Sequence, residues 1–178
     1  MLSLYLQYIK GLSPVISGFV LVANPVIMAV LSPLAGRISD KIEPRIVSSL
    51  GMALSSVGLI MLIFIDNSTS LVYVVSILIV IGCGSAFFVS PNTNAVMSSV
   101  DKRYLGIASA TLGTMRTLGQ VLSMGVVMIL FGLLIGRSEI HPENYPAFMQ
   151  SFRISFIIFS ILCVLGVFAS VARGNTRK

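Results

Sequence analysis

Long stretches without a charge alternate along this chain with short polar clusters. Residues 13–36, 46–65, 71–100 and 154–172 carry no charged side chain, and 104–136 is interrupted only by Arg116. Each is long enough to cross a bilayer, which takes about 20 mainly apolar residues in a helix. Lipid offers no partner to free backbone N–H and C=O groups, so such stretches must be helical. The pattern predicts an all-α, polytopic membrane helix bundle with five full transmembrane helices. Residues 1–9 are apolar too, but at a rise of ~1.5 Å per residue they reach only about 14 Å. They read as the last turns of a sixth helix, so the bundle is expected to be incomplete at its N-terminus. With no basic stretch and no cleavage site, they do not read as a signal peptide.

The polar clusters supply the turns. Pro44 suits the first position of a helix, where its missing N–H costs nothing. Asp66-Asn67-Ser68-Thr69-Ser70 is a polar turn that can cap the next helix. Residues 37–45 read as a charged loop, 101–103 as a short one and 137–151 as the longest; 173–178 form a basic tail. One alternating set of these segments holds Arg37, Lys41, Arg45, Lys102, Arg103, Arg173, Arg177 and Lys178, and the other only Lys10, Arg137 and Arg153. Eight cations against three put the first set, and the C-terminal tail, on the cytoplasmic side.

Composition agrees, with 56% hydrophobic and 10% charged residues; soluble domains carry about 25% charged. The net charge of +6 is accounted for by loops and tail, and no basic patch interleaved with aromatics points to nucleic acid. Cys83 and Cys163 each lie within a span and read as small core residues, and His141 stands alone in a loop. No metal cluster, phosphate-cradling loop or nucleophile motif is present, so no cofactor and no enzymatic activity is expected.

Four segments carry information. Pro33-Leu34-Ala35-Gly36-Arg37-Ile38-Ser39-Asp40-Lys41-Ile42-Glu43-Pro44-Arg45 sets Asp40 among cations. It can pair with Arg37 or Arg45 or cap a helix, and such a cluster can latch two helices in one state and release them in another. The alternative is a solvated loop whose ion pairs contribute under ~1 kcal/mol each. In the third span, Gly82 and Gly84 permit close helix approach. There Pro91 interrupts the hydrogen-bond ladder, and Asn92 and Asn94 either satisfy the freed groups or line a polar pathway. In the fourth span, Gly106, Ser109, Gly113, Arg116, Gln120 and Ser123 share one helical face. That stripe should meet protein or water rather than lipid. Ser48, Gly51, Ser55 and Gly58 in the second span form a packing stripe of small residues.

Gly36, Ile38, Ser39, Asp40, Lys41 and Arg45 match the pattern Gly-x-(Leu/Ile)-(Ala/Ser)-Asp-(Arg/Lys)-x-Gly-x-Arg, and this segment resembles the loop motif of the major facilitator superfamily. Glu43 stands where that motif often has Gly. Pro91-Asn92, Gly106-Ile107-Ala108-Ser109, Arg116-Thr117-Leu118-Gly119 and Lys10-Gly11-Leu12-Ser13-Pro14 resemble its fourteen-helix drug/proton antiporter branch. The resemblance covers nearly the whole chain. It implies the C-terminal six-helix half of a transporter in the plasma membrane, exporting small organic molecules against a proton gradient. The substrate site would lie between two halves near the bilayer midplane. Gly36, Arg37, Asp40, Lys41 and Arg45 would be the conformational motif. Asn92, Asn94, Arg116 and Gln120 would face the substrate pathway or the other half. The implied partners are the small-molecule substrate, the lipid bilayer and a missing N-terminal half, carried by the same chain or a second one. No Asp or Glu lies inside any span, so a proton-coupling carboxylate is expected in that other half. Two rivals are a half-transporter that assembles with a second chain and a membrane scaffold that transports nothing.

Overall fold

The structure, a computed structural model, describes residues 1–136 and 144–172. A short helix α1 (Leu2–Leu4) runs into a π-helical segment, Tyr5–Ile9. Five long helices follow: α2 (Pro14–Lys41), α3 (Pro44–Ile63), α4 (Leu71–Ser98), α5 (Leu105–Leu134) and α6 (Tyr145–Ala172), with a 3-10 turn at Lys102–Tyr104 before α5. All five are long and apolar enough to cross a membrane. The protein is an integral membrane helix bundle.

The helix starts follow local chemistry. Ser13 and Ser70 are N-caps whose hydroxyls accept from the backbone N–H of Ile16 and Tyr73, each at 3.3 Å, and Pro14 and Pro44 occupy first-turn positions. Two boundaries differ from the sequence expectation. α2 runs through Lys41, so the supposed charged loop 37–45 is mostly helix and the α2–α3 link shrinks to Ile42 and Glu43. Charged side chains do not stop a helix that has left the apolar layer: 28 residues span about 42 Å, well beyond a hydrocarbon core of about 30 Å. α6 likewise starts at Tyr145, inside the expected 137–151 loop, of which 137–143 lie outside the described residues. Pro146 is tolerated in a first helical turn. Phe148, Met149, Ser151 and Phe152 then turn a buried face inward.

α4 is the centre of the bundle. It packs on α2 and α3; α3 also packs along α6, and α6 touches α5. Lipid supplies no hydrophobic drive between helices, so close backbone approach has to hold them. A Cβ added to Gly51 would lie 2.5 Å from Phe87 C and Phe88 N and 2.7 Å from the Gly84 carbonyl oxygen. One on Gly82 would lie 2.8 Å from the Asn24 carbonyl oxygen of α2. Gly82 and Gly84 thus serve different neighbours, and the small-residue stripe of α3 is its face toward α4. The α3–α6 seam is pinned by a Ser49–Ser170 hydroxyl bond of 2.7 Å and by the Cys163 thiol, 3.6 Å from the Met52 carbonyl. Both cysteines are free thiols.

The apolar core lies at the opposite end of the bundle from Lys41, where residues 1–9 meet the ends of α3, α4 and α6. Tyr5 and Leu6 are fully buried there. The Tyr5 ring lies 5.7 Å from Phe152, which continues to Phe156 at 4.6 Å. The Tyr5 hydroxyl donates to the Asp66 carbonyl (2.8 Å), and the Lys10 ammonium to the Asn67 carbonyl (2.6 Å). Residues 1–9, expected to be the last turns of a sixth helix, are thus packed into the core.

Candidate functional sites at the basic end and on the fourth span

Gly36, Arg37, Asp40 and Lys41 occupy the last turns of α2, and Arg45 the first turn of α3. At a helix C-terminus Lys41 meets the favourable end of the dipole and Asp40 the unfavourable one. Asp40 is thus not an N-cap. Ile42 (φ −106°) and Glu43 (φ −54°) are ordinary backbone, so Glu43 takes the place of the motif's usual Gly without strain. Glu43 instead pairs with Arg45, Oε1 to Nε at 3.5 Å. Ser39 is buried, its hydroxyl donating to the Gly36 carbonyl at 2.8 Å. Gly36 lies against α4: a Cβ there would meet Ser90 Oγ at 3.3 Å.

One turn further along both helices lies a cleft of about 820 Å³. Asp40, Ser39 and Pro44 line one side; Asn94, Ser98 and Lys102 line the other. The structure thus brings Asp40 and Asn94 together, two residues the sequence had assigned to separate sites. Lys102, which the sequence reading treated only as a loop cation, completes the cleft. Pro91 is fully buried within a continuous α4, and Asn92 is half-buried one residue on.

Arg116 and Gln120 are elsewhere. They are exposed on α5, a helix with no buried residue. The Arg116 guanidinium has no hydrogen-bond or ion-pair partner among the described residues. A Cβ added at Gly106, Gly113 or Gly119 would meet nothing within 4 Å, in contrast to Gly51 and Gly82. The polar stripe of α5 therefore packs on no other described part of this chain. Among the described residues no group of three or more His, Cys, Asp or Glu side chains could hold a metal.

At the core end a second set of residues meets, missed in the sequence because the partners are far apart in it. Arg153 of α6 faces the Asp66 carboxylate at 3.9 Å, beside the carbonyls that hold Tyr5 and Lys10. Apart from Arg116, the charged groups among the described residues thus lie toward the two ends of the helices.

Residues 1–178 match the sequence profile described as Major Facilitator Superfamily. The chain belongs to that superfamily. Among its major facilitator relatives, the Riboflavin transporter RibZ of Clostridioides difficile is 24% identical over 171 residues, 96% of this chain and 38% of its own length. The Uncharacterized transporter YebQ of Escherichia coli is 31% identical over 72% of this chain and 28% of its own length. The Multidrug resistance protein Stp of Mycobacterium tuberculosis is 29% identical over 79% of this chain and 26% of its own length. The chain spans well under half the length of these relatives.

Proposed function

We propose that this chain works as the C-terminal half of a two-half transporter. It carries small organic molecules out across the plasma membrane, driven by a proton gradient. One observation carries the reading: the face of α5 that holds Arg116, Gln120 and open glycines is polar, spans the apolar layer and has no partner among the described residues. A cation near the centre of a span costs ~2.5–3.5 kcal/mol on insertion scales when lipid surrounds it. A facing half, with a solvated pathway between, removes that cost. Efflux is favoured by the relative named for multidrug resistance, and all six carboxylates lie outside the apolar stretches, which assigns proton coupling to the rest of the protein. The Asp40 cleft serves as the conformational latch at the cytoplasmic end, where the dipole of α2 disfavours a carboxylate and residues of α2, α3 and α4 meet.

The test is transport by the full-length protein. Arg116→Ala is expected to be expressed and inserted but to lose most efflux, and Arg116→Lys to regain only part, because Lys lacks the planar fork. Wild-type efflux by the Ala variant removes the functional reading of the stripe. Gradient-driven dye movement in liposomes holding residues 1–178 alone would favour assembly of two such chains over a two-half polypeptide.

A further inference from the structure

Arg116 sets a condition on whatever covers α5. It stands about three turns, or roughly 16 Å, along the helix from Leu105. Gly113 precedes it and Gln120 follows it on the same face, and all three are exposed. Among the described residues the guanidinium has no hydrogen-bond or ion-pair partner. A charge inside the apolar layer is held by an opposite charge or by water in a cavity. The spans of this chain cannot supply that opposite charge: residues 13–36, 46–65, 71–100, 104–136 and 154–172 contain no Asp or Glu. On the long helices that touch α5, the charged or titratable side chains are Tyr73 and Cys83 of α4 and Tyr145, Arg153 and Cys163 of α6. None of these is a carboxylate.

We infer that the α5 stripe docks against a transmembrane helix of the other half that carries an Asp or Glu level with Arg116, and that the two side chains form an ion pair across the interface. The inference rests on the two-half transporter reading above. Charge and depth choose this occupant. A second copy of the chain would bring another Arg116 to the same face and no carboxylate from its spans, so the two stripes would repel. A lipid phosphate stays at the edge of the apolar layer, whereas Arg116 lies about three turns inside the helix. The stripe also suits a helix in shape. A Cβ at Gly106 or Gly113 would meet nothing within 4 Å, so a partner backbone can come close there and bring its carboxylate within reach of the guanidinium. Gln120 can donate its amide N–H to the same carboxylate.

The experiment is a charge exchange in the full-length protein. Arg116→Glu is combined with an Arg placed, in turn, at each intramembrane Asp or Glu of the other half. Every variant is read by its yield of monodisperse protein in detergent and by its Tm. Arg116→Glu alone is expected to lose most of the folded yield, and one exchanged pair to restore it, because reversing both charges keeps their attraction. Arg116→Gln, the milder change, should fold with a lowered Tm, since it strands the carboxylate. Arg116→Lys should recover part of that loss, as it keeps the charge without the planar fork. These readouts need no substrate. A wild type that exports neither ethidium nor carboxyfluorescein under a proton gradient would therefore fail the transporter reading alone. Failure of every exchange to restore the yield overturns this inference alone, and so does a full-length protein with no Asp or Glu in its other spans. A wild-type Tm in Arg116→Gln overturns it as well, because a guanidinium that reaches the interface unaided, or meets only a transported anion, strands no partner when removed.

Discussion

The crossing of α3 and α4 allows a quantitative test of what holds this bundle together. In Gly51→Ala the new methyl would sit 2.5 Å from Phe87 C and Phe88 N and 2.7 Å from the Gly84 carbonyl oxygen. All three are backbone atoms and cannot rotate away, so the helices must separate. Overpacking of this kind costs typically 1–3 kcal/mol, and rigid neighbours place it at the upper end. Replacing Gly by Ala within a helix returns roughly 0.5–1 kcal/mol. The net destabilisation is about 2 kcal/mol, or roughly 4–8 °C in Tm for a chain of this size. Gly113→Ala on α5 is the matched control, since its methyl meets nothing within 4 Å; its Tm should stay level or rise. The assay is thermal unfolding in detergent followed by a thiol-reactive dye, which reports on the half-buried Cys83 and Cys163. A Gly51→Ala variant that melts at or above the wild type would refute the argument. A Gly113→Ala variant that melts as low as Gly51→Ala would refute the claim that the α5 stripe is unpartnered among the described residues.

Three further outcomes are expected. If the Asp40 cleft is a state-dependent latch, Asp40→Asn in the full-length protein should slow turnover severalfold with little change in substrate binding, because it acts on the conformational equilibrium; lost binding with normal turnover contradicts it. For orientation, an impermeant thiol reagent on intact cells should leave Lys41→Cys unlabelled and label Ser68→Cys, both in a background without Cys83 and Cys163; the reverse pattern inverts the assignment. These exposed positions are the right reporters, since Ser39 is buried and would resist labelling in either orientation. Tyr5→Phe removes the bond to the Asp66 carbonyl and should cost about 0.5–1.5 kcal/mol, read as a lower Tm; an unchanged Tm would mean that the ring alone anchors residues 1–9.

The alternation of charge-free stretches and cation clusters determined most of the architecture by itself. Five spans and their connectivity follow because lipid forbids unpaired backbone, and that constraint needs no neighbour to act. The cap within 66–70 and the start at Pro44 were legible because a helix terminus is satisfied by residues within one turn of it; the cap at Ser13 and the start at Pro14, which follow the same rule, were read as part of a turn. The packing role of Ser48, Gly51, Ser55 and Gly58 was legible as well, since a small-residue stripe in an apolar helix has few other uses. Helix ends beyond the apolar layer were not. Residues 37–41 are charged in a pattern that fits loop or helix equally, and the interfacial region tolerates both.

Tertiary structure alone decided what met what. Asp40, Asn94 and Lys102 share a cleft because α2 and α4 end side by side, and no spacing in the sequence encodes that. How residues 1–9 are held was not legible: Tyr5 and Lys10 reach the carbonyls of Asp66 and Asn67 some 60 residues away, and Tyr5 is buried against Phe152. The α5 stripe shows the complement. Its polarity was plain in the sequence, but only the fold reveals that no other helix among the described residues packs on it. A sequence fixes which faces of a helix are costly to leave in lipid, through local and periodic chemistry. Which surface relieves each face depends on non-local contacts, and those exist only once the helices are placed.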